Sequence, residues 1–141
     1  GQASDGHNVA ISHPDGDGLA NALQRALQSA RVEPGAVDYI NAHATSTPIG
    51  DVSEGKAIRR VFYDAGARPA ISSTKALTGH GRALAGAMET GFCALAMREG
   101  FIPGSANITH LEPAVADLNI IQETQEIRPQ VVVNNSRIIQ L

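Results

Sequence analysis

Two histidines in this chain lie in polar loops that follow directly on short apolar runs. The first stretch reads Asn41-Ala42-His43-Ala44-Thr45-Ser46-Thr47-Pro48, and the second Ser72-Ser73-Thr74-Lys75-Ala76-Leu77-Thr78-Gly79-His80. An imidazole N–H held at such a place can donate to an oxygen that gains negative charge during a reaction. The ends of strands in α/β sheets are also where sites usually form. Lys75 brings a cation to the second loop, and Glu54 a carboxylate that could pair with it. A single histidine at a strand end is more often structural than catalytic, so placement alone leaves both readings open. Metal binding has less support, because there is no H-E-x-x-H and no second histidine within a helical turn of either candidate. Gly79-His80-Gly81 matches neither phosphate-cradling glycine pattern. Cys93 lies inside an Ala-rich run, between Phe92 and Ala94, and reads as a small buried apolar residue. His7, His13 and His110 sit in loops without assignable partners, and Arg59, Arg60 and Arg68 read as a solvated face.

The elements that must carry these loops follow from patterning. Residues 1–15 are rich in Gly, Ser and Asp and read as a loop. A helix starts near Asp15 or Asp17, with Leu19, Leu23, Ala26, Leu27 and Ala30 at helical spacing. Glu33-Pro34-Gly35 is its expected stop. Val37–Ala42 reads as a short buried strand. A second helix is expected from about Asp51, with Ala57, Ile58, Val61 and Phe62 inward. Ala70–Thr74 is a second strand, and Lys75–Gly81 a turn. From about Arg82 to Arg98 runs a helix with many small residues, which predicts a buried helix that other backbone can approach. Leu118–Gln122 and Gln130–Asn134 read as strands forming a hairpin pair across Glu123–Pro129, with Ser136–Leu141 continuing the second. Alternating helices and strands predict a layered α/β domain.

Length and composition narrow the classes. With 141 residues the chain is read as one domain, 1–141. It is 43% hydrophobic and 18% charged, which excludes a disordered tail. A net charge of −3 argues against nucleic acid as a general partner. One cysteine excludes a disulfide framework. No run reaches the ~20 apolar residues of a membrane span, and no signal peptide is visible, so the expectation is a cytoplasmic domain without a membrane partner. A start at Gly1-Gln2 and an apolar end read as a piece of something longer.

With the two histidine stretches in view, the chain resembles the β-ketoacyl-acyl-carrier-protein synthases. VDYINAHATSTPIGD is similar to their H-G-T-x-T-P-x-G-D motif, and SSTKALTGH to their S-x-K-x-x-x-G-H motif. Order and spacing agree, and NNS near the end resembles the N-S before a Gly-rich closing turn. The closest look is to the 3-oxoacyl-[acyl-carrier-protein] synthases I and II, with polyketide ketosynthases sharing the motifs. The resemblance implies a thiolase-like α/β fold, of which this chain is the C-terminal lobe: one half of an α-β-α-β-α layered architecture, a mixed sheet packed by helices. It implies a decarboxylative Claisen condensation, in which a cysteine of the other half carries the acyl group. By motif, His43 and His80 would stabilise the enolate, Lys75 would hold the electrostatics with Glu54, and Thr45 and Thr47 would contact phosphopantetheine. No cofactor is implied beyond that arm. The implied partners are acyl carrier protein and either the missing N-terminal lobe or a homodimer mate. The alternatives are a non-catalytic ketosynthase-like partner and a carrier-protein-binding subunit.

The chain departs from the family pattern at named places. Ala44 replaces the usual glycine, and Arg82-Ala83-Leu84 stands after Gly79-His80-Gly81 where the family has an apolar residue and a glycine. The nucleophilic cysteine motif does not occur in these residues, and the strand that opens the family's C-terminal half is expected to fall before Gly1. At the end, Asn135-Ser136-Arg137-Ile138 stands where the family runs N-S-F-G, so its gating phenylalanine is missing.

Overall fold

A central parallel sheet carries both histidine loops at one end. The computed structural model describes residues 1–4, 6–7 and 13–137. In chain order the main elements are α1 (Asp17–Ala30), β1 (Tyr39–Asn41), α2 (Pro48–Ile58), β2 (Ala70–Ser72), α3 (Lys75–Thr78), α4 (Ala85–Glu99) and β3 (Val132–Asn134). The sheet order is β2-β1-β3, with both pairings parallel. Ile40 of β1 stands opposite Ile71 of β2 and Val133 of β3.

Strand alternation sends β1 side chains to two cores. Ile40 packs with Leu23, Leu27, Ile58, Phe62 and Ile71 under α1 and α2. Tyr39 packs on the opposite side with Cys93, Ile102 and Ile121 under α4. Tyr39 also ties β1 to β2 through a 2.8 Å hydrogen bond between its hydroxyl and Ser72 Oγ. The result is a helix–sheet–helix layering.

The helices differ in detail from their sequence patterns. α1 opens at Asp17 after Gly16, and Asp17 binds Arg60 instead of capping. It stops at Arg31, whose left-handed backbone (φ 56°) returns its N–H to Gln28, three residues before Pro34. α2 begins at Pro48, earlier than Asp51, because proline suits the first helical position. Its end widens into a π-helical turn over Arg59–Tyr63 that keeps Val61 and Phe62 buried. Lys75–Thr78 forms one helical turn inside the expected loop.

The hairpin expectation is overturned. Ile120 bridges in parallel to Ile71 at the outer edge of β2, whereas β3 pairs with the other side of β1. The two runs therefore flank the sheet from opposite edges. Neither run alternates, which suits strands in a covered parallel sheet, and residues 123–129 hold no two-residue hairpin turn signal. Instead they cross the sheet's end. Gln125 forms an antiparallel bridge to Ile102, and Arg128 binds the last carbonyls of α4 at Met97 and Arg98. Asp38 then accepts from the N–H groups of Gln130 and Val131 and feeds the chain into β3. Of the expected continuation of this strand, residues 138–141 lie outside the described residues.

The small-residue helix is buried along one stripe only. Ala85, Glu89, Cys93 and Ala96 face the sheet, while Ala87, Gly91, Ala94 and Leu95 face outward. One sheet covers one face, so the rest of α4 stays open. No helix among the described residues is long and apolar enough to cross a membrane.

α2 meets the turn Pro113–Val115 at Gly55, where an added Cβ would lie 2.4 Å from Val115 Cγ1. Gly55→Ala should therefore cost about 1–3 kcal/mol through overpacking. Urea denaturation checks this, and an unchanged midpoint would mean that Val115 moves aside freely.

Candidate functional site

Parallel strands point the same way, so β1, β2 and β3 release their following residues at one end of the sheet. His43 comes two residues after β1, His80 follows α3 beyond β2, and Asn135–Arg137 follow β3. The imidazoles of His43 and His80 meet with centroids 5.0 Å apart and planes at 83°. His80 is exposed and His43 partly buried.

Each ring is oriented by a backbone N–H. Arg137 N–H donates to His43 Nδ1 at 3.2 Å, and Arg82 N–H to His80 Nδ1 at 3.4 Å. A neutral imidazole whose Nδ1 accepts carries its proton on Nε2. Both rings are thus set as Nε2–H donors. Arg82 takes a left-handed conformation (φ 51°), and Gly79 (φ 74°) closes α3 and releases His80.

Glu54 shapes the first loop. From α2 it accepts the N–H groups of His43 and Ala44, each at 2.8 Å, and the Asn135 amide. It is 3% exposed. Burial pushes its carboxyl up, against the opposing pull of the Arg137 charge and these donors. Both oxygens are occupied by N–H donors, the arrangement of an ionised carboxylate. The loop it clasps is bent. Ala44 has φ 23° and Ser46 φ 62°, which accounts for a glycine being usual at the first position. Thr45 Oγ1 and Thr47 Oγ1 lie 3.5 Å apart on the outer side of this loop.

Lys75 does not pair with Glu54. Its ammonium binds Glu89 of α4, and both side chains are buried. Glu54 is taken up by backbone donors, whereas Glu89 projects from the stripe of α4 that faces Lys75. Ser136 Oγ donates to the second Glu89 oxygen at 2.5 Å. Asn134 binds Gly86 O and Thr90 Oγ1, so β3 and its tail are fastened along α4. Glu89, Asn134 and Asn135 had no assigned role in the sequence. Glu89 had a signal: it is the lone charge in the otherwise small row Ala85–Glu89–Cys93–Ala96, spaced four, four and three.

Elsewhere the candidates resolve into structure. Arg59 pairs with Asp117, Arg60 with Asp17, and Arg68 lies 4.1 Å over the Tyr63 ring. Cys93 is 6% exposed and burial pushes its thiol up to about 11, which is the opposite of an activated nucleophile. Among the described residues, no group of three or more His, Cys, Asp or Glu side chains is arranged to hold a metal ion.

Comparison with known proteins places the chain. Residues 1–109 match the family described as beta-ketoacyl synthase, C-terminal domain. The chain belongs to that family. It is 41% identical over 136 residues to 3-oxoacyl-[acyl-carrier-protein] synthase 1 of Escherichia coli (strain K12), covering 96% of this chain and 32% of the relative. The chain thus spans about a third of the length of that curated relative. A ketosynthase solved in complex with its chain length factor from Xenorhabdus doucetiae superposes with TM-score 0.87 at 33% identity, covering 96% of this chain and 34% of that one. A type II polyketide acyl-carrier protein in complex with its ketosynthase gives TM-score 0.86 at 27% identity, over 92% and 32% of the two chains. The thiolase-like α/β lobe expected from the motifs is the fold observed.

Two predictions follow from these charges. Burial foremost, then the charge of Lys75 and the neighbouring His80 and Arg137, push His43 down to about 3. The unfolded histidine titrates near ~6.5. A depressed folded value means that the fold favours neutral imidazole. Its contribution to stability is fully present above about pH 6.5 and is lost as pH falls toward the folded value. Imidazole ¹⁵N shifts should therefore show His43 neutral at pH 5, and a midpoint near 6.5 would contradict the burial. Lys75→Met strands a buried carboxylate and should cost about 3–5 kcal/mol in denaturation experiments. Lys75→Met with Glu89→Leu should recover most of that loss, and a neutral single substitution would show the pair to be solvated.

Proposed function

We propose that this chain is the C-terminal lobe of a 3-oxoacyl-[acyl-carrier-protein] synthase type of condensing enzyme, holding the half-site that stabilises the enolate of malonyl-carrier. The observation that carries the reading is the pair of imidazoles 5.0 Å apart, each with Nδ1 accepting a backbone N–H. When malonyl thioester loses carbon dioxide, the electron pair of the broken C–C bond moves onto the thioester oxygen. Two neighbouring Nε2–H donors preset by their Nδ1 contacts stabilise that charge without reorganising. Neutrality matters, because a protonated His43 would lose its Nδ1 contact. The burial that pushes it down to about 3 protects the donor form.

The other residues act by support. Glu54 holds the bend that presents His43, and the Lys75–Glu89 pair joins α3 to α4 five residues before His80. The hydroxyls of the first loop, half-buried Thr45 and exposed Thr47, suit the amides of a phosphopantetheine arm. No cofactor is needed beyond that arm, and carrier-bound substrates fit a cytoplasmic setting. The acyl group needs a thiolate from outside this chain, since Cys93 is buried and un-ionised. The open face of α4, with Ala87, Gly91, Ala94 and Leu95, is the surface we assign to the remaining lobe or a dimer mate. Acyl carrier protein as a partner draws support from the similar ketosynthase solved with one.

The test is carbon dioxide release from malonyl-carrier by the purified chain. We expect slow release that His43→Ala and His80→Ala each reduce, by about 10²–10³ per donor lost. No 3-ketoacyl product should form. Release insensitive to both substitutions would remove the enolate role, and 3-ketoacyl product from the chain alone would remove the lobe reading. Carrier binding without histidine-dependent release from a folded sample would favour the non-catalytic, carrier-binding alternative.

A further inference from the structure

A glycine stands in the first turn of α2, where an alanine would favour the helix more. Gly50 is partly buried, and its φ is not left-handed, so its backbone suits alanine. What the glycine supplies is room. A Cβ built on Gly50 would lie 2.2 Å from Thr47 Oγ1, far inside contact distance. The other atom it would meet, Thr47 Cβ, stands at an ordinary 3.6 Å. The Thr47 hydroxyl thus occupies the volume that any other side chain at position 50 would fill, and it alone stands in the way.

Helix capping does not account for where that hydroxyl lies. Thr47 directly precedes α2, a place where a hydroxyl commonly accepts an N–H of the first turn. The Thr47 hydroxyl accepts none. Asp51 turns back instead and accepts the Thr47 N–H at 3.3 Å, as the acid of a capping box does. The hydroxyl is left 3.5 Å from Thr45 Oγ1, across the bend where Ser46 takes φ 62°. We propose that Gly50 is a positioning residue: its missing Cβ lets the Thr47 hydroxyl lie against the first turn of α2, close to that of Thr45, and so presents the two hydroxyls together to the amides of a pantetheine arm. An alanine at position 50 would turn the Thr47 hydroxyl by about 120° to another staggered position and separate the pair.

This role rests on the reading of Thr45 and Thr47 as pantetheine contacts. Its test involves no turnover, so it can fail while histidine-dependent decarboxylation stands, and the reverse. NMR on the full 141-residue chain reads two quantities. Three-bond couplings to the Thr47 methyl carbon report its rotamer, and the Thr45 and Thr47 amide shifts on titration with pantetheine give a Kd. The parent chain should show one Thr47 rotamer and saturable binding. Gly50→Ala should change the rotamer and keep the urea midpoint at or above that of the parent. It should weaken binding about fivefold, the worth of roughly one hydrogen bond. Thr47→Val, which removes the hydroxyl and keeps the shape, should weaken binding as much. The two substitutions together should weaken it no further than either alone, because Gly50 acts only through that hydroxyl. A merely structural glycine predicts losses that add. The proposal is overturned if Thr47 averages among rotamers in the parent or if pantetheine does not bind saturably. It is equally overturned if folded Gly50→Ala keeps the parent rotamer, if either single variant keeps the parent Kd, or if the losses add. A Gly50→Ala chain that fails to fold also overturns it, since one side-chain rotation would then not relieve the overlap.

Discussion

The site depends on one buried carboxylate. Glu54 collects the N–H groups of His43 and Ala44 and the amide of Asn135. These donors come from two different strands' tails, and the acceptor from a helix between them in sequence. A residue at 3% exposure can be ionised only where donors and charge offset its lost hydration. That demand works in reverse as a constraint on shape. The loop must bend, even through Ala44 at φ 23°, because only the bent loop brings two consecutive N–H groups to one carboxylate. Where His43 points is thus a consequence of how Glu54 is satisfied.

The Lys75–Glu89 pair plays the matching part beneath the second loop. Its side chains are 5% and 1% exposed, and Ser136 completes it. Both carboxylates reach the segment after β3, Glu54 through Asn135 and Glu89 through Ser136. Successive residues of one short tail close two polar networks. The two histidines are therefore not independent, since loosening the tail loosens the supports of both.

Much of this was legible in the sequence where chemistry and local pattern coincide. Short β-branched or aromatic runs ending in His-bearing loops appear as β1 and β2, and α1, α2 and α4 form near the expected places. What was hidden is tertiary. A continuous apolar run such as Gln130–Asn134 states that a strand is covered, but not which neighbour it joins or in which direction, so a hairpin and a distant parallel pairing look alike. The partner of Lys75 was hidden for the same reason. Glu54 and Glu89 are both carboxylates on helices, and only the packing of α4 against the sheet decides between them. The small residues of α4 announce close approach, but the surface they serve is not supplied by the sheet here.

The parallel register of the sheet has a consequence for tolerance to change. His43 and His80 are carried by adjacent strands locked as Tyr39–Ala70, Ile40–Ile71 and Asn41–Ser72. A strand advances about 3.3 Å per residue and reverses its faces at each step. A slip by one position would separate the rings by most of their present spacing and turn Ile40 out of its core. The sheet therefore works as a gauge block: the distance between two reactive groups is cut by backbone spacing, not by the side chains that surround them. Residues with no chemistry at all, two isoleucines and an alanine among them, carry the dimensional accuracy of the site, whereas its helices can vary on their outer faces without altering that measure.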